Sequence, residues 1–205
     1  MFRLKIFVAA LAMLWTSRAG FAAPEDRQTL IKAALTEDGA EQISLLQKLI
    51  GSSDSLVEQA LTAWRGGGLY LLETNDTKVP FLLEAQSDSS GAARGIRVSD
   101  GAVVADVSAK PIMFVASDLT AVDTNSKLRK AIKTVLDLFA LGNANPKIRR
   151  DAVIKLGQEQ NAEYLPYFEA RLGAEKNTEV RRALAEAVAL TKLASEDSAV
   201  RVTAV

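Results

Sequence analysis

The 205-residue chain contains no histidine and no cysteine. Their absence removes thiol nucleophiles, Ser-His-Asp triads, zinc sites of His or Cys, thiolate-held iron–sulfur clusters and covalently attached haem. What remains open is carboxylate, lysine or hydroxyl chemistry, or no chemistry at all. An excess of one charge is also missing: 25 basic residues face 25 acidic ones, for a formal net charge of zero. Nucleic acid and anionic membrane surfaces are recruited by an excess of Lys and Arg, so composition gives no reason to expect either. With 48% apolar and 24% charged residues the chain has the make-up of a globular protein of one or two domains and is not disordered.

Long apolar runs are scarce as well. Ile6 to Trp15 is an uncharged run of ten residues, preceded by Arg3 and Lys5 and followed by Ser17, Arg18, Ala19, Gly20, Phe21, Ala22 and Ala23, with Pro24 next. This three-part layout is that of a secretory signal peptide over residues 1–23, cleaved after Ala22 or Ala23. A bilayer-spanning helix needs about 20 apolar residues, which this run does not supply. Without Arg3, Lys5 and Arg18, 22 basic residues face 25 acidic ones, a net charge of −3. An exported chain without disulfides must be held by its core alone.

Residues 24–142 read as a helical region with a small β insertion. Apolar residues recur at helical spacing in three bursts, Leu30 to Leu35, Ile43 to Ile50 and Leu56 to Trp64, broken at Asp38-Gly39 and at Gly51-Ser52-Ser53-Asp54. After Arg65-Gly66-Gly67-Gly68 the pattern changes. Leu69 to Leu72, Phe81 to Ala85, Ile96 to Val98, Val103 to Val107 and Ile112 to Val115 predict short strands across about 69–115, with Ser99-Asp100-Gly101-Ala102 as a two-residue hairpin. From Asn125 the helical period returns: Leu128, Ile132, Val135, Leu136 and Phe139 lie opposite Lys127, Arg129, Lys130, Lys133 and Asp137. Gly142 reads as the glycine that ends this helix.

Residues 143–205 carry one phrase three times. Asn145-Pro146-Lys147-Ile148-Arg149-Arg150-Asp151-Ala152 is followed by Asn177-Thr178-Glu179-Val180-Arg181-Arg182-Ala183-Leu184 and by Asp197-Ser198-Ala199-Val200-Arg201-Val202-Thr203-Ala204. Each copy opens with an Asn or Asp able to cap a helix, then places a β-branched residue and an arginine at fixed offsets. A partner helix, Asn161 to Leu172, lies between the first two copies, and a long helix, Val180 to Leu193, joins the second to the third. The uneven period resembles degenerate HEAT or armadillo repeats. A repeat cannot bury its apolar face alone, so the third copy, only two turns long at Val205, raises the expectation that further polypeptide follows. The expected fold is mainly α: short helical hairpins, a small β insertion and C-terminal HEAT/armadillo-like repeats.

The order of an export signal, helices leading to Trp64-Arg65-Gly66-Gly67, the segment Lys78-Val79-Pro80-Phe81-Leu82 and a helix feeding Arg-rich repeats resembles the extracytoplasmic N-terminal region of the urea ABC transporter permease subunit, a relative of the branched-chain amino-acid permeases. The resemblance implies a non-enzymatic part on the periplasmic side of the bacterial inner membrane, serving transmembrane transport in a longer protein. It implies as partners the other ABC transporter subunits and a periplasmic substrate-binding protein, with the membrane engaged only through a permease domain beyond these residues. The alternative is a freestanding periplasmic scaffold or adaptor built on the same repeats.

No residue is assigned a catalytic, cofactor-binding or metal-ligating role. Arg65-Gly66-Gly67-Gly68 lacks the lysine and hydroxyl residue of a P-loop and follows no strand, so a helix-ending turn is preferred to a phosphate cradle. Glu37-Asp38, and Asp118 with Asp123, read as turns and caps in preference to an acid–base pair or hard-metal ligands; a carboxylate hydrolase would require Asp118 or Asp123 in a pocket beside another carboxylate. Arg149, Arg181 and Arg201 are expected to bond carbonyls or a neighbouring carboxylate, the alternative being a positive ladder for an anionic partner. Trp64 and Tyr70 read as core aromatics beside a turn, the alternative being a docking patch.

Overall fold

A computed structural model of the chain describes residues 24–73 and 77–203. The export segment, the Asn75-Asp76 turn and the last two residues lie outside that range. The described residues are mainly helical, with one small antiparallel sheet.

Three helices open the chain, α1 (Glu25–Leu35), α2 (Gly39–Gln47) and α3 (Ser55–Gly66). Their starts follow from two aspartates, because an Asx side chain can accept from the unpaired amides of a first turn. Asp38 accepts from the amides of Ala40 and Glu41 at 2.7 and 3.0 Å, and Asp54 from Leu56 at 2.9 Å. Asp54 also takes the Arg27 guanidinium at 2.6 Å, which fastens α1 to the start of α3. At its far end α3 stops on Gly67, which is left-handed with φ +81°. A side chain there would be strained, which is why the helix ends in a glycine run.

The sheet order is β1 (Leu69–Glu73), β2 (Lys78–Ser87), β3 (Ala92–Arg97) and β4 (Met113–Val115), all antiparallel. Register places Leu69, Leu82 and Ile96 in one cross-strand row, and all three pack in the helical core. The next row turns Tyr70 and Phe81 to the opposite face, where Phe81 stacks on Phe114 with ring centroids 4.8 Å apart. A one-residue slip would exchange the two faces, so burial fixes the pairing.

Two expectations about this region are corrected. The residues 103–107 do not form a strand: Val103 bridges Ile96 of β3, the Val104 amide bonds the Gly95 carbonyl, and Ala105 bridges Pro111 outside the sheet. The edge of β3 is shared between residues near Val103 and β4, so neither partner can build a long ladder. The turn before it is not a two-residue hairpin: the Arg97 amide bonds the Ala102 carbonyl, leaving a four-residue loop of Val98 to Gly101. Val98 is buried in that loop and Asp100 pairs with Arg97, two contacts that a tight turn would not permit.

Helix α4 (Ser126–Phe139) starts at Asn125, which accepts from the Leu128 amide at 2.9 Å. Its stripe of Leu128, Ile132 and Val135 completes a core with α1–α3, centred on the fully buried Trp64, whose indole donates to the Asp123 carbonyl at 3.2 Å. Gly142 is not the left-handed end expected for this helix, which passes through Ala140 in right-handed conformation into a short 3₁₀ turn. Gly142 is there for space: a Cβ would lie 1.8 Å from the Gly51 carbonyl oxygen. Backbone thus meets backbone where the first part of the molecule joins the second.

That second part holds α5 (Pro146–Gln158), α6 (Leu165–Ala174), α7 (Thr178–Leu193) and α8 (Ser198–Val202). A separate core of Leu138, Leu141, Val153, Leu156, Tyr164, Phe168, Val180 and Leu184 holds them. α5 and α7 approach closely at Gly157, where a Cβ would meet that of Ala187 at 2.7 Å. Ile50 packs against both cores and spans the joint.

Candidate functional site

The three copies of the repeated phrase share an Asx cap and a back-folded arginine, the first and third matching in the carbonyls they reach and the second reaching further back into α6. Asn145 accepts from the Lys147 amide at 3.0 Å, Asn177 from Glu179 and Val180 at 3.1 Å each, and Asp197 from Ala199 at 2.8 Å. The arginine four positions later folds back over the turn that enters the helix. Arg149 Nη1 donates to the carbonyls of Asn143 and Ala144, Arg181 Nη1 to those of Leu172 and Glu175, and Arg201 Nη1 to those of Ser195 and Glu196, all between 2.7 and 3.1 Å. The Nη1 of each guanidinium is taken by two backbone carbonyls. The arginines therefore act as entry clamps, and a positive ladder is not formed.

Arg149 does more. Its Nε and Nη2 form a two-pronged pair with Glu175 at 2.9 and 2.8 Å, while Arg171 reaches the same carboxylate at 2.8 Å and the Lys176 and Asn177 amides donate to it at 3.0 and 2.9 Å. Glu175 is only 4% exposed. The Arg149 hydrogen bonds, with help from the Asn177 amide and Arg171, hold its carboxyl at about 2, well below the usual carboxylate range. Every oxygen lone pair has a donor, so this node ties α5 to the α6–α7 turn and has no capacity left for a ligand. A second link crosses the joint: the Tyr164 hydroxyl donates to Asp137 at 3.0 Å, and burial followed by that carboxylate pushes the phenol up to about 12.

The remaining candidates disperse. Asp38 is the cap of α2, with Glu37 exposed beside it. Asp118 and Asp123 are both exposed, and neither lines a groove with a second carboxylate. The acid–base pair required of a carboxylate hydrolase is not assembled from them. Arg65-Gly66-Gly67-Gly68 is the end of α3, and Trp64 belongs to the core. Tyr70 stands apart from Trp64, on β1 against Phe81, so the two do not share a docking patch.

Two grooves flank α3. One, of about 510 Å³, lies between α3 and the sheet and is lined chiefly by Ala63, Tyr70, Leu82, Leu83 and Ile96, with Glu84 its one charged group. The other, also about 510 Å³, lies between α3 and α4 and is lined by Thr62, Arg65, Gly66, Arg129, Lys130, Lys133 and Leu136. Its four charges are all positive. Lys130 pairs with Glu163 at 2.7 Å and Lys133 with Asp137 one turn on, whereas Arg129 donates to the Thr124 hydroxyl at 2.8 Å and, among the described residues, neither Arg129 nor Arg65 pairs with a carboxylate. Such a surface can bind carboxylates or other anions through charge-assisted hydrogen bonds.

Sequence reasoning missed the groove and, while expecting Arg149 to bond carbonyls or a neighbouring carboxylate, did not identify Glu175 as that carboxylate. The groove had a signal in the four cations packed into residues 127–133, but nothing local places Arg65 across from them. Glu175 gave none, since its partner Arg149 is 26 positions away. No protein family, characterised protein or solved structure matches this chain.

Proposed function

We propose that this chain is a non-enzymatic, exported interaction region built on HEAT-like helical repeats, forming the extracytoplasmic N-terminal part of a urea-type ABC transporter permease subunit. In that role it serves transport through contacts with the other subunits and with a periplasmic substrate-binding protein. The observation that carries the reading is the reuse of one helix-entry device, an Asx cap with an arginine clamp four residues on, at Asn145, Asn177 and Asp197. Repetition of one entry geometry is what stacking of equivalent layers requires, and stacked layers present extended faces to other proteins. At the α7–α8 end Leu193 is 50% and Val202 76% exposed, apolar surface that a neighbouring layer would cover.

The test is genetic. Beyond the Val205 codon the reading frame is expected to continue into several apolar spans of about 20 residues each. A stop codon at that point contradicts the transporter assignment. Where the frame continues, deleting codons 24–205 is expected to abolish urea uptake while the rest of the protein still inserts in the membrane; unchanged uptake contradicts the role.

A further inference from the structure

We propose that the groove between α3 and α4 is a binding site for an acidic peptide segment, with carboxylates seated on Arg65 and Arg129. The proposal rests on the groove alone and holds whichever larger protein carries the chain. Arg65, in the last turn of α3, and Arg129, in the first turn of α4, stand on the two walls, both exposed, and among the described residues neither is engaged by a carboxylate. A guanidinium presents a planar fork that matches a carboxylate with two parallel hydrogen bonds. The other two cations of the lining, Lys130 and Lys133, already hold carboxylates of this chain, Glu163 and Asp137. Between the walls Thr62 and half-buried Leu136 give an uncharged floor, and Gly66 leaves the α3 end free of any side chain.

The shape favours a peptide over other anions. The groove is open to solvent, so a single small ion would remain hydrated and gain little more than a surface ion pair. A chain of carboxylates engages several cations at once, and the second contact is made at high effective concentration. Single-stranded nucleic acid depends on aromatic side chains for base stacking, and no aromatic residue lines this groove. An anionic bilayer is met by a projecting amphipathic surface with apolar residues that insert, whereas these cations line a concavity.

The experiment is fluorescence anisotropy at low ionic strength with the purified chain and a fluorescein-labelled peptide of alternating glutamate and alanine. Saturable binding is expected, weakening as salt is added. The double substitution Arg65→Ala with Arg129→Ala should weaken it about tenfold, as loss of two exposed charge-assisted contacts implies. Arg182→Ala, which removes an exposed arginine on α7 away from the groove, should leave it unchanged. The same peptide with lysine for glutamate should not bind, a readout that needs no variant. Absence of saturable binding, an equal loss with Arg182→Ala, or tighter binding of phosphatidylglycerol vesicles or a single-stranded oligonucleotide than of the peptide would overturn the proposal.

Discussion

The residues from Glu25 to Phe139 and those from Pro146 to Val202 are held by different means. In the first region helices α1 to α4 and one face of the sheet converge on Trp64, so the core is assembled from segments far apart in sequence. In the second, α5, α7 and α8 each start with an Asx cap and an arginine clamp, α6 starts without either, and the helices pack α5 on α7 and α6 on α7. The first closes around one buried side chain, while in the second burial declines along the chain: Val180 and Leu184 on α7 are buried, yet no residue of α8 is. Closure makes a region cooperative, and a helix with little buried surface can open separately.

The largest expected effect comes from breaking the closed region at its centre. Trp64→Ala should lower stability by about 4 kcal/mol, in the range for deleting a large buried aromatic side chain. Urea unfolding followed by far-ultraviolet circular dichroism should then resolve two transitions, with α5 to α7 persisting after the first region has melted. A single transition at reduced midpoint would mean that the two cores are one cooperative unit.

The second region should respond most to its ionic node. Glu175→Gln leaves Arg149 buried beside a neutral amide, and removing one partner of a buried pair costs about 3 kcal/mol. Replacing both residues, Arg149→Met with Glu175→Met, should recover part of that loss, since the uncompensated charge is then gone. The sign with pH is set by the depressed carboxyl, held at about 2 against a usual 4.5. Its stabilisation is full above the unfolded value of 4.5 and is lost as pH falls through 2. The difference between wild type and Glu175→Gln, measured by denaturant midpoints, should therefore shrink as the solution is acidified through that window. A difference independent of pH would show that Glu175 acts through packing and not through its charge.

Two glycines give the smaller effects and separate joint from periphery. Gly142→Ala forces a methyl group into the Gly51 carbonyl and should cost about 2 kcal/mol, as overpacking against backbone does. Gly173 lies in α6 with nothing near its missing Cβ, so Gly173→Ala should stabilise by somewhat under about 1 kcal/mol through helix propensity. Thermal melts of both variants check the pair. Equal effects would mean that the joint yields freely.

What was legible in the sequence divides along the same line. Helix starts at Asp38, Asp54, Asn125, Asn145, Asn177 and Asp197 could be read because an Asx side chain acts within three residues of itself. The arginine offsets were legible for the same reason, although the carbonyls they reach were not specified. Strand pairing near Val103 was not legible, because which segment wins the β3 edge depends on residues beyond Met113. Gly142 misled because a glycine after an apolar stripe reads the same whether it supplies a left-handed turn or a close approach. The α3–α4 groove was hidden for a further reason. Arg65 and Arg129 are 64 positions apart, and only the packing of two helices brings them to one cleft.

The contrast between a closed first region and a second region that loosens towards α8 is tested most directly by hydrogen–deuterium exchange along the intact chain. Helices α1, α3 and α4 should share one high level of protection, while amides in the second region should exchange faster from α5 and α7 towards α8, which should be nearly unprotected. Protection of α8 equal to that of α3 would contradict the contrast and show the whole chain to be a single sealed unit.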